Sequence, residues 1–347
     1  MSLAGMTTPP LRNVLLAGLM FIASMAFAHR TSSQEFTLRG KQVTLYASSG
    51  PGGGIGNYAR PLLPFMTKYL PGNPDIVMSG MPGGGGLQAV QYLYNVAKRD
   101  GTAFGVFSPA PLNHPFLSTI PVNYEIEKFH WIGSLSSSAT SCFVFDRSPI
   151  RSLQDAQARE VTLSVPGADS GQTRVARLSN GLLGTKFKTI AGYNGTGETM
   201  LAAERGEVDG SCNSFNSLRG SGHLANGSLR FLLQATAGEK DPNFAQVPSI
   251  MDLVQTESDR AAVRLLLTPY SVQYPFALPP DVPPTVIDVY RKAFDLAVAD
   301  PEYLASAVAQ KQEISPQKGS AVEDMVRSMA ATPDSVRQYV ISLISKD

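Results

Sequence analysis

Four times along the chain a strand-like run meets a glycine-rich turn and then an amphipathic stretch, and this recurring unit constrains the fold most. A strand followed by a helix returns the next strand parallel to the first, so the repeated unit predicts an α/β architecture with a largely parallel sheet. Val43-Thr-Leu-Tyr-Ala-Ser-Ser49 mixes β-branched and apolar residues and stops at Gly50-Pro51. After Gly52-Gly53-Gly54-Ile55-Gly56-Asn57, apolar residues at Tyr58, Leu62, Phe65, Met66 and Tyr69 fall at helical spacing. Pro64 is expected to kink that helix or delay its regular start. A second strand begins at Asp75, and Pro82-Gly-Gly-Gly-Gly86 opens a helix with Leu87, Val90, Leu93, Tyr94 and Ala97 on one face. Lys98-Arg99-Asp100-Gly101 closes it, and Thr102 to Phe107 reads as a third strand.

A second set begins near Ser141. Cys142 to Phe145 and Val161 to Val165 read as strands, and Pro166-Gly-Ala-Asp-Ser-Gly171 leads into a helix over Gln172 to Leu183. Phe187 to Ile190 leads through Gly192-Tyr193-Asn194-Gly195-Thr196-Gly197 into a helix over Glu198 to Arg205. Asp209, in Gly206-Glu-Val-Asp-Gly210, reads as a turn residue, and Leu229 to Ala235 as one more strand. Farther on, Thr285 and then Asp300-Pro301 start two helices by the cap and first-turn proline rules.

Composition narrows the function. Lys plus Arg number 29 and Asp plus Glu 28, and charged residues are only 16% of the 347, against about 25% in an average domain. A near-neutral chain lacks the basic stripe of a nucleic-acid binder, and 43% hydrophobic residues exclude a disordered scaffold. Arg12 is the only charge before residue 29, followed by the apolar stretch Val14 to Ala28. Those fifteen residues reach about 22 Å as a helix, short of the ~30 Å hydrocarbon core. Ala26-Phe27-Ala28 has the small-x-small pattern of a signal-peptidase site, so residues 1–28 are expected to be a signal peptide cleaved after Ala28. Its removal leaves 28 basic and 28 acidic side chains in an exported protein. Export argues against NAD or ATP, and no cofactor is expected. Cys142 and Cys212, in an oxidising compartment, pair as a disulfide or remain buried thiols; sequence alone leaves both open.

Each helix start offers unpaired N–H groups and the positive end of a dipole, and glycine admits a ligand close to the backbone. Residues 50–57, 82–87, 167–173 and 192–197 fit this description, and none contains Lys or Arg. Taken singly each is an ordinary tight turn; together they point to a small anion held by neutral donors. Gly54-Ile-Gly56-Asn-Tyr-Ala59 matches a dinucleotide fingerprint, but Asp75 begins the second strand where the fingerprint's acid should end it. Catalytic constellations are poor: His29, His114, His130 and His223 form no pair at metal or triad spacing, and no metal site is expected. His114, between Asn113 and Pro115 in the loop after the third strand, reads as an exposed loop histidine in preference to one that lines a cleft.

In these loops the chain resembles the extracytoplasmic substrate-binding receptors of tripartite tricarboxylate transporters, the Bug proteins. The matching residues are Val43–Ser49 with Pro51-Gly-Gly-Gly54 and Ala59-Arg60, then Met81-Pro-Gly-Gly84 and Leu93-Tyr-Asn-Val-Ala97 with Asp100-Gly-Thr102. Farther along are Gly192-Tyr-Asn-Gly195, Glu204-Arg-Gly-Glu-Val-Asp-Gly210, Pro279-Pro-Asp-Val-Pro283 and Asp300-Pro301. The resemblance implies a two-lobed, flytrap-like, type II-like periplasmic binding protein whose chain crosses between lobes twice. Lobe one would be residues 36–140 plus 236–347, and lobe two residues 141–235. It further implies a non-enzymatic, monomeric receptor that closes on a small organic acid and delivers it to membrane transporter subunits. A ligand sensor for a membrane signalling partner, or an exported enzyme, are the alternatives. Carried over, the ligand-binding residues are Ser49, Gly52, Gly53, Gly54, Ile55, Gly56 and Asn57 in lobe one, with Ser108 from the loop after the third strand. Ser170, Gly171, Gln172, Thr173, Tyr193, Asn194, Gly195, Thr196 and Gly197 follow in lobe two. Family members often carry Asp two places after the third glycine; here Ile55 and Gly56 stand there, which lessens any preference for a ligand amino group.

Overall fold

The computed structural model describes residues 36–50, 54–117, 121–219 and 222–345. The expected leader, residues 1–28, lies outside the described residues, as do Gly52 and Gly53. Residues Thr37–Asp347 form one compact unit. Its strands in chain order are β1 (Gln42–Ala47), β2 (Asp75–Gly80), β3 (Ala103–Val106), β4 (His130–Ser136) and β5 (Thr140–Phe145). Then come β6 (Val161–Val165), β7 (Phe187–Ala191), β8 (Gly210–Ser214), β9 (Leu229–Ala235), β10 (Gln273–Leu278) and the short β11 (Gln317–Lys318).

The strands divide into two sheets, ordered β2-β1-β3-β10-β4-β11 and β7-β6-β8-β5-β9. In each, three strands run parallel, β2-β1-β3 and β7-β6-β8, and a strand from elsewhere in the chain pairs antiparallel to the third. The two sheets therefore share one topology although the sequence shows no repeat. The chain passes between them after β4, where Ser136 precedes Thr140, and returns between β9 and β10. Two α/β layers joined by two crossovers make the molecule two-lobed.

Periodicity located most parallel strands within a residue or two. Prolines break the first helix: Gly54–Ala59 is α-helical, Arg60–Leu62 narrows to a 3-10 turn, and Leu63–Tyr69 resumes with Pro64 in its first turn. Helix Gly171–Leu183 starts at Ser170, whose hydroxyl accepts the Thr173 N–H, and stops at Gly184 in the left-handed conformation. Helices Glu257–Leu267 and Asp334–Ile344 put Val263, Leu266, Val340 and Leu343 into the same core as Leu163 of the second sheet and Val175 of helix Gly171–Leu183. Segments that follow residue 236 thus help to fill the core of the second sheet. Cys142 and Cys212, directly opposite on β5 and β8, form a disulfide.

One expectation is corrected here. His114 is buried at 1% exposure, because the loop after β3 folds inward as a 3-10 turn, Ala110–Leu112, and a single helical turn, His114–Leu117. Arg174 packs beside it, also 1% exposed, with Nε and one terminal nitrogen on the two Asp169 carboxylate oxygens at 2.9 Å each. Its other terminal nitrogen donates to Asn113 Oδ1 at 3.1 Å. Asp209 accepts the Thr162 N–H and hydroxyl and the Ser148 hydroxyl, which makes it a structural anchor of the turn before β8.

Candidate functional site

In an open α/β sheet, ligands bind beyond the carboxyl ends of the parallel strands. Here six such ends, three from each sheet, converge on one cleft of about 310 Å³. From the first sheet, β1 delivers Ser48 and Ser49, β2 the Pro82–Gly86 turn, and β3 Ser108 to Ala110. Opposite them, β6 leads to Ser170, Gly171 and Gln172, β7 to Tyr193 to Thr196, and β8 to Asn213, Ser214 and Ser217.

Hydrogen bonds fix the first wall. Ser48 Oγ accepts the Ser108 N–H at 2.8 Å, and Ser108 Oγ donates to the Gly85 carbonyl at 3.4 Å, which ties the three strand ends together. Gly83, Gly84, Gly85 and Gly86 have φ of 134, 56, 67 and 102°, a succession that residues with a Cβ do not tolerate. This arch reaches the opposite wall: a Cβ on Gly85 would lie 3.8 Å from Ser170 Cα. The two walls therefore meet over the cleft.

The second wall is built on two helix starts. The first N–H groups of a helix have no partner within it. At Gly171–Leu183 the Thr173 N–H is capped by Ser170 Oγ, so those of Gly171 and Gln172 remain for a ligand. The helix Thr196–Arg205 begins at Gly195, which has no side chain to cap it, and Glu198 in its first turn accepts from the Asn194 N–H and amide. The floor is aromatic: Tyr270 and Tyr274 both line it, and Tyr274 stacks on Tyr58 at 4.3 Å. Burial pushes both phenols well above their usual pKa, so they are neutral donors. Tyr274 has φ of 57°, a strained conformation for a bulky residue that turns up at functional sites.

Among the described residues no Asp, Glu, Lys or Arg lines this cleft, and no group of three His, Cys, Asp or Glu side chains is placed to hold a metal ion. The polar lining consists of hydroxyls, amides and backbone. Of the residues carried over from sequence, Ser49, Gly54, Ile55, Ser108, Ser170, Gly171, Gln172, Tyr193, Asn194, Gly195 and Thr196 lie on it. Gly56 and Thr173 are buried off its lining, Gly197 is exposed and off it too, and Asn57 is exposed with its carbonyl bonded to Gln312. Sequence reading noted the 82–87 loop without carrying its residues to the site. It passed over Ser48, Thr140, Asn213, Tyr270, Gln273 and Tyr274 altogether. Ser48 lay inside the predicted strand Val43–Ser49 but stands one residue past the end of β1, where a strand opens toward a ligand. The tyrosines, in an aromatic run, carried no signal separating them from core.

Two α/β lobes of one topology, joined by two crossovers and facing each other across a cleft at their strand ends, define the periplasmic-binding-protein fold. The chain belongs to the tripartite tricarboxylate transporter family receptors, whose sequence profile matches residues 60–334. No curated protein sequence matches it. Among solved structures it is similar to the periplasmic binding protein BugD, with TM-score 0.68 and 16% identity over 87% of this chain and 97% of that one. It is also similar to a protein of R. palustris solved with adipate, with TM-score 0.68 and 15% identity over 88% of this chain and 97% of that one. MatC of Rhodopseudomonas palustris, solved with bound malate, gives TM-score 0.66 and 16% identity over 87% of this chain and 99% of that one.

Proposed function

We propose that this protein is a periplasmic receptor that captures a small organic carboxylate without an ammonium group and delivers it to a membrane transporter. The observation that carries this is a cleft rich in neutral donors and free of charged side chains among the described residues. Hydrogen bonds to a charged group contribute about 1.5–3 kcal/mol each. Four of them reach the ~8 kcal/mol of micromolar binding after ordering costs. An ammonium group needs an acidic partner on burial, and the lining supplies none. Adipate and malate in two relatives are in keeping with the ligand class. Among the described residues no helix is long and apolar enough to cross a membrane.

In this reading residues 36–140 plus 236–347, apart from helices Glu257–Leu267 and Asp334–Ile344, act as one lobe, residues 141–235 with those two helices packed on them act as the other, and the lobes close by hinge motion about the crossovers. Ser49, Gly54, Ile55 and Ser108 contact the ligand from one side, with Ser170 to Gln172 and Tyr193 to Thr196 on the other. The test is a thermal-shift panel of mono-, di- and aromatic carboxylates, amino acids and nucleotides on the mature protein. An acid at ~100 times its Kd adds about 2.7 kcal/mol, a rise of several degrees. Silence from every organic acid alongside a response to nucleotides overturns the reading. A response to amino acids equal to that of their deaminated counterparts overturns its charge argument.

A further inference from the structure

Tyr270 comes from neither sheet and from none of the glycine loops; it sits in the 3-10 turn Thr268–Ser271 that precedes β10. Its ring is buried at 7% exposure, yet its hydroxyl has no hydrogen-bond partner among the described residues. That hydroxyl points at the start of helix Gly171–Leu183: a Cβ on Gly171 would lie 2.5 Å from it. A buried hydroxyl left unpaired costs about 1–3 kcal/mol. One aimed at free helix N–H groups, themselves donors, is offered to whatever acceptor those groups bind.

The two helix starts of this wall differ in charge. Helix Thr196–Arg205 carries Glu198 in its first turn, whereas helix Gly171–Leu183 has no acid there. Asp169, just before the second of these, is held bidentate by the buried Arg174. An anionic oxygen therefore meets a competing carboxylate at Thr196 and a neutralised surrounding at Gly171.

We infer that the Tyr270 hydroxyl is a specificity-determining ligand contact that donates to a carboxylate oxygen seated on the Gly171 and Gln172 N–H groups. The acid group is thereby oriented toward the Gly171 end of the cleft, and the uncharged part of the ligand lies toward Asn194 to Thr196. This inference rests on the reading of the cleft as a carboxylate site and adds to it a residue and a direction.

The experiment compares wild-type and Tyr270→Phe proteins by calorimetric titration, using the acid that raises the melting temperature most and the carboxamide of the same skeleton. Tyr270→Phe removes one unpartnered hydroxyl, so the ligand-free protein should melt at the wild-type temperature or above. Its affinity for the acid should fall about tenfold, the scale of one charge-assisted hydrogen bond. The preference for acid over carboxamide should shrink by a similar factor, a coupling that only a direct contact produces. Unchanged affinity in Tyr270→Phe, with wild-type protein binding the acid, overturns this inference and leaves the cleft reading standing. A lower melting temperature of the ligand-free variant with no change in acid preference assigns Tyr270 a packing role and overturns it too. Wild-type protein that binds no acid overturns the cleft reading, and this inference with it.

Discussion

His114 shows how one residue in this fold couples stability to pH. Its ring is buried, both ring nitrogens lack hydrogen-bond partners among the described residues, and Asp169 Oδ2 is 3.9 Å from Nδ1. Burial, with the Arg174 guanidinium as the next cause, lowers its pKa to about 4, and the Asp169 carboxylate only partly opposes this. In the unfolded chain a histidine titrates near ~6.5, so between that value and about 4 the unfolded state binds more protons than the folded one. Stability is therefore full above ~6.5 and is lost as pH falls toward 4, by a sum on the order of 3 kcal/mol. We expect the melting temperature to drop between pH 7 and pH 5 in wild type and to drop less in His114→Phe. Equal slopes would contradict the assignment. Asn113 and Pro115 made this histidine look like a loop residue, since only tertiary packing turns the segment inward. The same limit hid Tyr270, whose apolar neighbours Leu267, Val272 and Phe276 are core.

At the scale of elements, most of what forms the cleft walls was legible. Strand ends marked by Gly50-Pro51, Pro166-Gly167 and Gly192 predicted where backbone N–H groups would be exposed, because a helix that follows a glycine turn opens there. The antiparallel strands were harder. β4 is buried along nearly its whole length and has no polar alternation, and β10 follows a helix, Glu257–Leu267, whose apolar residues merge with it in sequence. Nor does any local pattern show that β10 joins the sheet begun by β1, or that β5, the first strand of its sheet in the chain, pairs antiparallel with β8 and β9. The crossover after β4 is held by Asn216, whose amide nitrogen donates to Ser136 Oγ at 2.6 Å and whose backbone N–H donates to Ser138 Oγ at 3.2 Å. Ser136 Oγ in turn donates to the Glu313 carbonyl at 2.8 Å. Asn216→Ala removes a buried donor from this serine-rich hinge and should cost about 1–2 kcal/mol in a urea titration. A midpoint within error of wild type would mean that the hinge does not depend on it.

For the whole molecule, near-neutral charge and concentrated glycine take on a single meaning. The cleft holds its polar groups on backbone and small side chains, so the protein can bind an anion without a basic patch on its lining. What composition could not convey was that the two half-sites face each other, because that depends on two sheets of one topology joined by two crossovers. The second sheet is further fastened by the Cys142–Cys212 bond, which closes a separation of 70 residues. By loop entropy such a bond contributes up to about 4 kcal/mol. The double substitution Cys142→Ala with Cys212→Ala should lower the urea midpoint accordingly, and an unchanged midpoint would show that the bond adds nothing to stability. The central claim, capture of an ammonium-free carboxylate between these walls, is tested most directly by titrating the best acid of the panel into wild type and into Gln172→Trp in a calorimeter. Gln172 is half-buried on the cleft lining, so the larger ring fills the cavity while the fold of the ligand-free protein stays intact. The account predicts one site per wild-type chain and binding at least about tenfold weaker in the variant, the effect of losing one charge-assisted contact or more; equal affinity in both proteins would contradict it.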